Sequence, residues 1–342
     1  MTKKEARRSR KRRRKLFLAL IMILLLVATL GTATYAWFTA NRTVTVEAIN
    51  VNVSTSQGLQ ISVDAANWKS IVTNSDILAA SWDGINNQIP NGSGNTMVPV
   101  STAGLTDTST GYMNMFRGTV ETNASTGDNI LSAVATVEDG SGTAKNQGDF
   151  VVFDLFFQST EAQTVYLTSN SSVVYAGTDD KGIQNAARVA FIDEGNVAYG
   201  STPASAQALH AGTLRMIWEP NYDVHTASGV ANASSVYGIT TSLTGGSKLA
   251  YVGVKAPIAA ANNIPLHSAS PSSTYFQSVT TVGSLAAGIP TNSYISAFQV
   301  AAGITKVRIY MWIEGQDVDC EDHASGSSLT YNLQFSIDSS AT

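Results

Sequence analysis

From Arg42 to Val53 the chain reads RTVTVEAINVNV, apolar and polar residues in alternation, and that period of two predicts a strand. Val44, Val46 and Ala48 share one face, and then Ile49, Val51 and Val53 take over one residue out of phase. A slip at Ala48 and Ile49 requires a bulge or a crossing between sheets, because a one-residue shift otherwise turns every later side chain to the wrong face. Leu59, Ile61 and Val63 continue the alternation in a second strand, after a turn at Ser56, Gln57 and Gly58. Phe150 to Phe157 (FVVFDLFF) does not alternate: Asp154 is its one polar residue, which predicts a central strand covered on both faces. Gln163 to Leu167 (QTVYL) makes a hairpin or sheet-crossing partner for it.

Further strands are predicted at Ala187 to Ile192, Thr213 to Trp218, Leu249 to Val254, Thr305 to Ile313 and Leu329 to Ile337. Helical periodicity is almost absent. Residues 74–111 are rich in Asn, Gly, Ser and Pro and read as a loop-rich insertion; 221–247 and 257–303 read as long excursions with few strands. Strands that arrive singly, with long connections, predict an all-β fold: an antiparallel β-sandwich of jelly-roll type spanning residues 39–342.

A different pattern precedes this domain. Residues 1–15 carry ten Lys or Arg and one acid, and the 23 residues from Leu16 to Phe38 carry no charge. A basic stretch followed by an apolar helix of about 34 Å is an export signal or a membrane anchor, its basic end held in the cytoplasm. The most apolar part, Leu16 to Leu30, gives way to the small-residue stretch GTATYA, the plan of a cleavable signal with Thr34 and Ala36 before the cut and Trp37 after it. An uncleaved, single-pass anchor is the other reading. In either case residues 39–342 lie outside the cytoplasmic membrane, and the expected partners are that membrane during export and a signal peptidase.

Without residues 1–38, 11 basic residues face 24 acidic ones, a net charge near −13 that the whole-chain value of −4 conceals. So acidic a surface repels nucleic acid. One cysteine, Cys320, excludes an internal disulfide framework and reads as a small buried side chain. The four histidines, at 210, 225, 267 and 323, lie at no zinc-ligand spacing, and no G-x-S-x-G elbow is present, so the chain does not read as an enzyme.

The acidic run near the C-terminus is the candidate metal site. Glu314, Asp317, Asp319, Glu321 and Asp322 fall within nine residues after an apolar strand, and Glu314, Asp317, Asp319 and Asp322 form a candidate oxygen-ligand set for Ca²⁺; the alternative is a solvated acidic turn. Apart from this Ca²⁺, no cofactor is implied. Arg188, Arg215 and Glu219 sit in or beside apolar strands and read as ion-pair partners across the sheet or to Glu314.

The leader KLFLALIMILLLVATLGTATYAWFTANRTVTVEAINVNVS, ARVAFI at 187–192 with RMIWEPN at 215–221, and IYMWIEGQDVDCEDH at 309–323 together resemble a family of Gram-positive exported proteins with a SipW-type signal peptide, that of TasA and camelysin, subunits of biofilm matrix fibres. The resemblance covers about a fifth of the chain. It implies a secreted or surface-held jelly-roll ectodomain that self-associates when the freed N-terminal strand completes a neighbour's sheet. Val44, Val46, Ile49, Val51 and Val53 would then fill the acceptor groove, and the competing reading packs the same strand inside its own subunit. Two departures from the pattern are the far more basic start and the longer ectodomain. The function expected is that of an exported cell-surface or extracellular matrix structural protein. The alternative is a membrane-anchored binding module for carbohydrate or calcium, with Trp82, Tyr222 and Tyr275 as contact aromatics.

Overall fold

The computed structural model describes residues 43–54, 58–80, 87–90, 96–136, 148–178, 180–235, 251–266, 271–283, 294–320 and 326–339. Contacts divide the chain into Met1–Ala36 and Trp37–Thr342, and every described residue belongs to the second unit. The leader, the proposed cut between Ala36 and Trp37, Trp82, Glu321 and Asp322 lie outside the described residues. No helix among the described residues is long and apolar enough to cross a membrane.

The described chain is mostly strand, in several antiparallel sheets, with three short helices at Asn74–Ala79, Pro203–Gln207 and Ala227–Ser235. Its strands are β1 (Val44–Val53), β2 (Leu59–Ser62), β3 (Ile71–Thr73), β4 (Val100–Ser101), β5 (Thr106–Asp107), β6 (Tyr112–Met113), β7 (Met115–Thr122), β8 (Asn129–Thr136), β9 (Val151–Ser159), β10 (Gln163–Leu167), β11 (Ser172–Tyr175), β12 (Ala187–Val197), β13 (Thr213–Trp218), β14 (Tyr251–Val254), β15 (Phe276–Val279), β16 (Ile295–Val300), β17 (Gly303–Ile313) and β18 (Ser327–Ser336).

Two large sheets share one core. The first runs β16-β10-β18-β1-β3, with β11 also paired to β18; the second runs β13-β12-β17-β9-β2. Phe157 and Phe191 of the second sheet meet Phe298 and Phe335 of the first, with ring centroids 5.0 to 5.9 Å apart. Offset and edge-on rings at this separation add specific attraction to the burial of their area. The far face of the second sheet is buried as well: Val152, Ala190, Ile192, Tyr310 and Trp312 pack under Val100, Met113, Met115 and Val279. All eleven residues of β17 are therefore buried, and β9 beside it carries the two-sided burial that FVVFDLFF predicts. Beyond this layer, β7, β8 and the antiparallel pair β14–β15 enclose a smaller core around Phe116, Leu131 and Phe276.

The phase slip in β1 is a bulge. Its register against β18 shifts between Val46 and Ala48, leaving Glu47 as the extra, exposed residue. Val44 and Val46 before the bulge and Ile49 and Val51 after it therefore all reach the core, and Val53 packs against its margin. Residues 74–111, expected to be irregular, contain the Asn74–Ala79 helix and the two-residue strands β4 and β5.

Candidate functional site

β1 occupies a slot closed on both sides. Along one side it runs parallel to β18 through its whole length, from Val44 opposite Ser327 to Val53 opposite Phe335. The other side is closed by unrelated pieces. Val44 N donates to Met97 O (2.8 Å) and Met97 N to Val44 O (2.9 Å), Ile49 N donates to Asn74 Oδ1, and Asn50–Asn52 pair antiparallel with β3. Across the β1–β18 seam, Asn50 Nδ2 donates to Asn332 Oδ1 at 3.1 Å, so these two side chains face each other on the sheet's outer surface. Of the five residues expected to fill an acceptor groove, the structure places Val44, Val46, Ile49 and Val51 in the chain's own core.

Glu314, Asp317 and Asp319, the described acids after β17, are buried rather than solvated, and protein donors occupy their carboxylates. Trp312 Nε1 donates to Glu314 Oε2 (3.1 Å) and the Gln316 amide to Glu314 Oε1 (3.1 Å). Arg188, reaching over from β12, places Nη2 2.9 Å from Glu219 Oε1 and against Asp317 Oδ2, while its Nη1 donates to the carbonyls of Asn185 and Ala187. Asp319 accepts from the Thr226 amide (2.7 Å) and hydroxyl (2.9 Å), and His225 Nδ1 lies 2.8 Å from its other oxygen. The carboxylate thus sits at the start of the helix Ala227–Ser235, where the peptide dipoles favour negative charge. Glu314, Asp317 and Asp319 therefore spend their oxygens on different donors, and no group of three His, Cys, Asp or Glu able to hold a metal ion exists among the described residues.

Burial sets the protonation of this cluster. It pushes Glu314 up to about 7 against the opposing pull of Ser101, Trp312 and Arg188. Asp317 rises to about 6, again from burial, with Arg188 pulling the other way and Asp319 and Glu219 adding repulsion. Arg188 has one charge to divide among several acids. Cys320, at the end of the turn, is buried in the main core.

A second buried network crosses three strands of the central sheet. Asp154 on β9 lies opposite Arg308 on β17 and accepts from its Nε (2.8 Å) and Nη2 (3.2 Å); Lys306 Nζ lies 3.2 Å from the same carboxylate. Lys306 also donates to the carbonyls of Gln207 (2.9 Å) and Leu209 (2.8 Å), tying the short helix Pro203–Gln207 and the residues after it to the sheet. Burial works against ionising Asp154, but Arg308 and Lys306 outweigh it and hold its carboxyl below the ordinary value. Glu194, in the β12 bulge, fares differently: burial drives it up to about 7 although Arg308 opposes the rise. Its Oε2 accepts from the Gly212 amide (2.8 Å), and its Oε1 lies 3.9 Å from Arg308 Nε without accepting a hydrogen bond.

Charged residues inside apolar strand runs, such as FVVFDLFF and ITKVRIYMWI, are the sequence signal that identifies this second network. Of the other residues singled out from sequence, Arg215 makes a half-exposed pair with Asp193 (2.7 Å), and Tyr222 and Tyr275 lie in turns. Comparison with protein-family models, with curated proteins and with solved structures finds no significant match to this chain.

Proposed function

We propose that the chain is an exported structural protein of the cell surface or matrix, a jelly-roll-type sandwich whose copies join by exchanging β1. The parallel pairing of β1 with β18 is the observation that supports this reading most. Antiparallel neighbours joined by a hairpin are tied to one another by a few residues, whereas a parallel neighbour arrives by a long connection and can be contributed by another copy. β1 is the first of the described strands and β18 the last.

The energetics fit exchange better than release. Four fully buried side chains, Val44, Val46, Ile49 and Val51, are worth about 1.5–3 kcal/mol each, so an empty slot is rare at equilibrium. A strand given to a neighbour remakes the same contacts there, so its free energy nearly cancels and concentration decides the outcome.

The test uses Asn50 and Asn332, whose side chains already face each other. In an N50C/N332C variant, oxidation of dilute monomer should lock β1 at home and prevent filaments. Oxidation after assembly should instead link neighbours into a ladder on non-reducing gels. Only intrachain links in assembled material would refute strand exchange; a monomer that stays monomeric and binds glycans or calcium would point to the binding-module reading. N-terminal sequencing of native protein, with a start expected at Trp37, tests export and cleavage separately.

A further inference from the structure

On the strand-exchange reading of β1, we propose that residues Met97–Ser101 act as a clasp that couples the ionisation of buried Glu314 to release of the leading end of β1. The connection is short. Met97 closes the outer side of β1 at Val44 through the two backbone hydrogen bonds described above, and three residues on, Val100 forms a parallel bridge with Glu314. Gly315 N donates to Val100 O at 2.9 Å, and Ser101 hydrogen-bonds the Glu314 side chain. Pro99, buried between these contacts, fixes its own φ and leaves the segment few ways to bend. A displacement at one end of so short an extended piece reaches the other.

Glu314 is walled by Trp312 on β17, by Ala186, whose carbonyl accepts the Glu314 amide at 2.8 Å, and by Val100 and Ser101. The first two walls belong to or abut the central sheet. β4 is two residues long, so it is the wall that can move. The charged and titratable groups facing this site are Arg188 and Glu219 from β12 and the end of β13, Asp317 and Asp319 from the turn, and His225 on Asp319. On the β4 side, Arg117 pairs with Asp149, whose carbonyl accepts the Val98 amide.

Among the described residues Arg188 is the cation that acts on Glu314, and Glu219 and Asp317 already share it. A negative Glu314 must therefore gain water, and water enters by displacing Val100 and Ser101. Folded-state burial raises this carboxyl, so the closed clasp is favoured while it carries its proton and loses that advantage as pH rises toward about 7. The linked opening should grow roughly 50-fold between pH 5 and pH 7.5.

Hydrogen exchange on the monomer, corrected for the intrinsic pH dependence of amide exchange, reads this directly. The Val44 and Val46 amides should lose protection over that range while Val51 and Val53 keep theirs, and Glu314→Gln should abolish the difference. An equal response at both ends of β1 in the wild-type chain, or a persistent gradient in E314Q, would overturn the clasp. The wild-type comparison needs no variant to fold. Because the measurement is made on monomer, failure to form filaments would sink strand exchange without touching this result.

Discussion

Asp154→Asn is the perturbation that tests the central charge network most sharply. The substitution keeps the shape and removes the single negative charge shared by Arg308, at 2.8 and 3.2 Å, and by Lys306, at 3.2 Å, all three side chains being less than 5 % exposed. Of the carboxylates described beside these two buried cations, Glu194 then remains, and with its carboxyl at about 7 it is only about half ionised at neutral pH. Breaking a buried pair from one side costs about 3–5 kcal/mol, and the amide oxygen can still serve one cation, so a loss near the lower end is expected, about 3 kcal/mol. In urea unfolding of a chain this size, that moves the midpoint by about 1 M. Lys306→Met in the same background should recover part of the loss, since it removes the surplus charge. Glu194 should respond too. With Asp154 neutral, a repelling anion disappears and Arg308 turns to Glu194, so its carboxyl drops from about 7. A loss below about 1 kcal/mol in D154N, or additive effects of D154N and K306M, would refute the account of these four residues as one coupled unit.

Wild-type stability should fall as pH rises from about 5 to 7.5. Glu194, Glu314 and Asp317 all have folded values above their ordinary ones, so the stability they contribute is complete below the unfolded values and is lost as pH passes the folded ones; a higher Tm at pH 7.5 than at pH 5 would contradict this. Ile49→Ala, emptying a fully buried site beside the bulge, should cost about 2–5 kcal/mol in urea unfolding, and a cost under 1 kcal/mol would show that β1 is not held as described. Gly303→Ala should be poorly tolerated, because φ is +122° and the added Cβ would lie 2.1 Å from Val197 O; an unchanged Tm would disprove the close approach of β17 to the end of β12.

The legible parts of this fold are those where one rule acts alone. β10 and β13 begin and end where their apolar runs do, and the slip in β1 is visible because the bulge displaces an otherwise strict alternation. β16 is harder to see. Its residues ISAFQV bury in the order in, out, in, in, out, in, because the register with β10 shifts between Val165 and Tyr166 and leaves Ala297 unmatched. β4, β5 and β6 are two residues each, too short to show any period, and they exist because the central sheet needs a cover. The acidic turn is legible only in composition, which suggests solvent or calcium; that Glu314, Asp317 and Asp319 are buried depends on Arg188, His225 and Thr226, distant in sequence. Only tertiary contact reveals which carboxylates meet a cation.

The partnership of β1 with β18 also places the chain's assembly in time. A ribosome delivers β1 first and β18 last among the described strands, so until nearly all of the domain exists the leading strand has only β3, Asn74 and Met97 on one side and lacks the neighbour that pairs along its whole length. Contacts so remote along the chain are slow to form, because long loops must close before they are rewarded. During that interval an apolar, hydrogen-bond-hungry ribbon waits beside whatever else is present. For a lone molecule this is a period of vulnerability to aggregation, and in a crowd of identical chains it is when a neighbour's vacant seam can be filled.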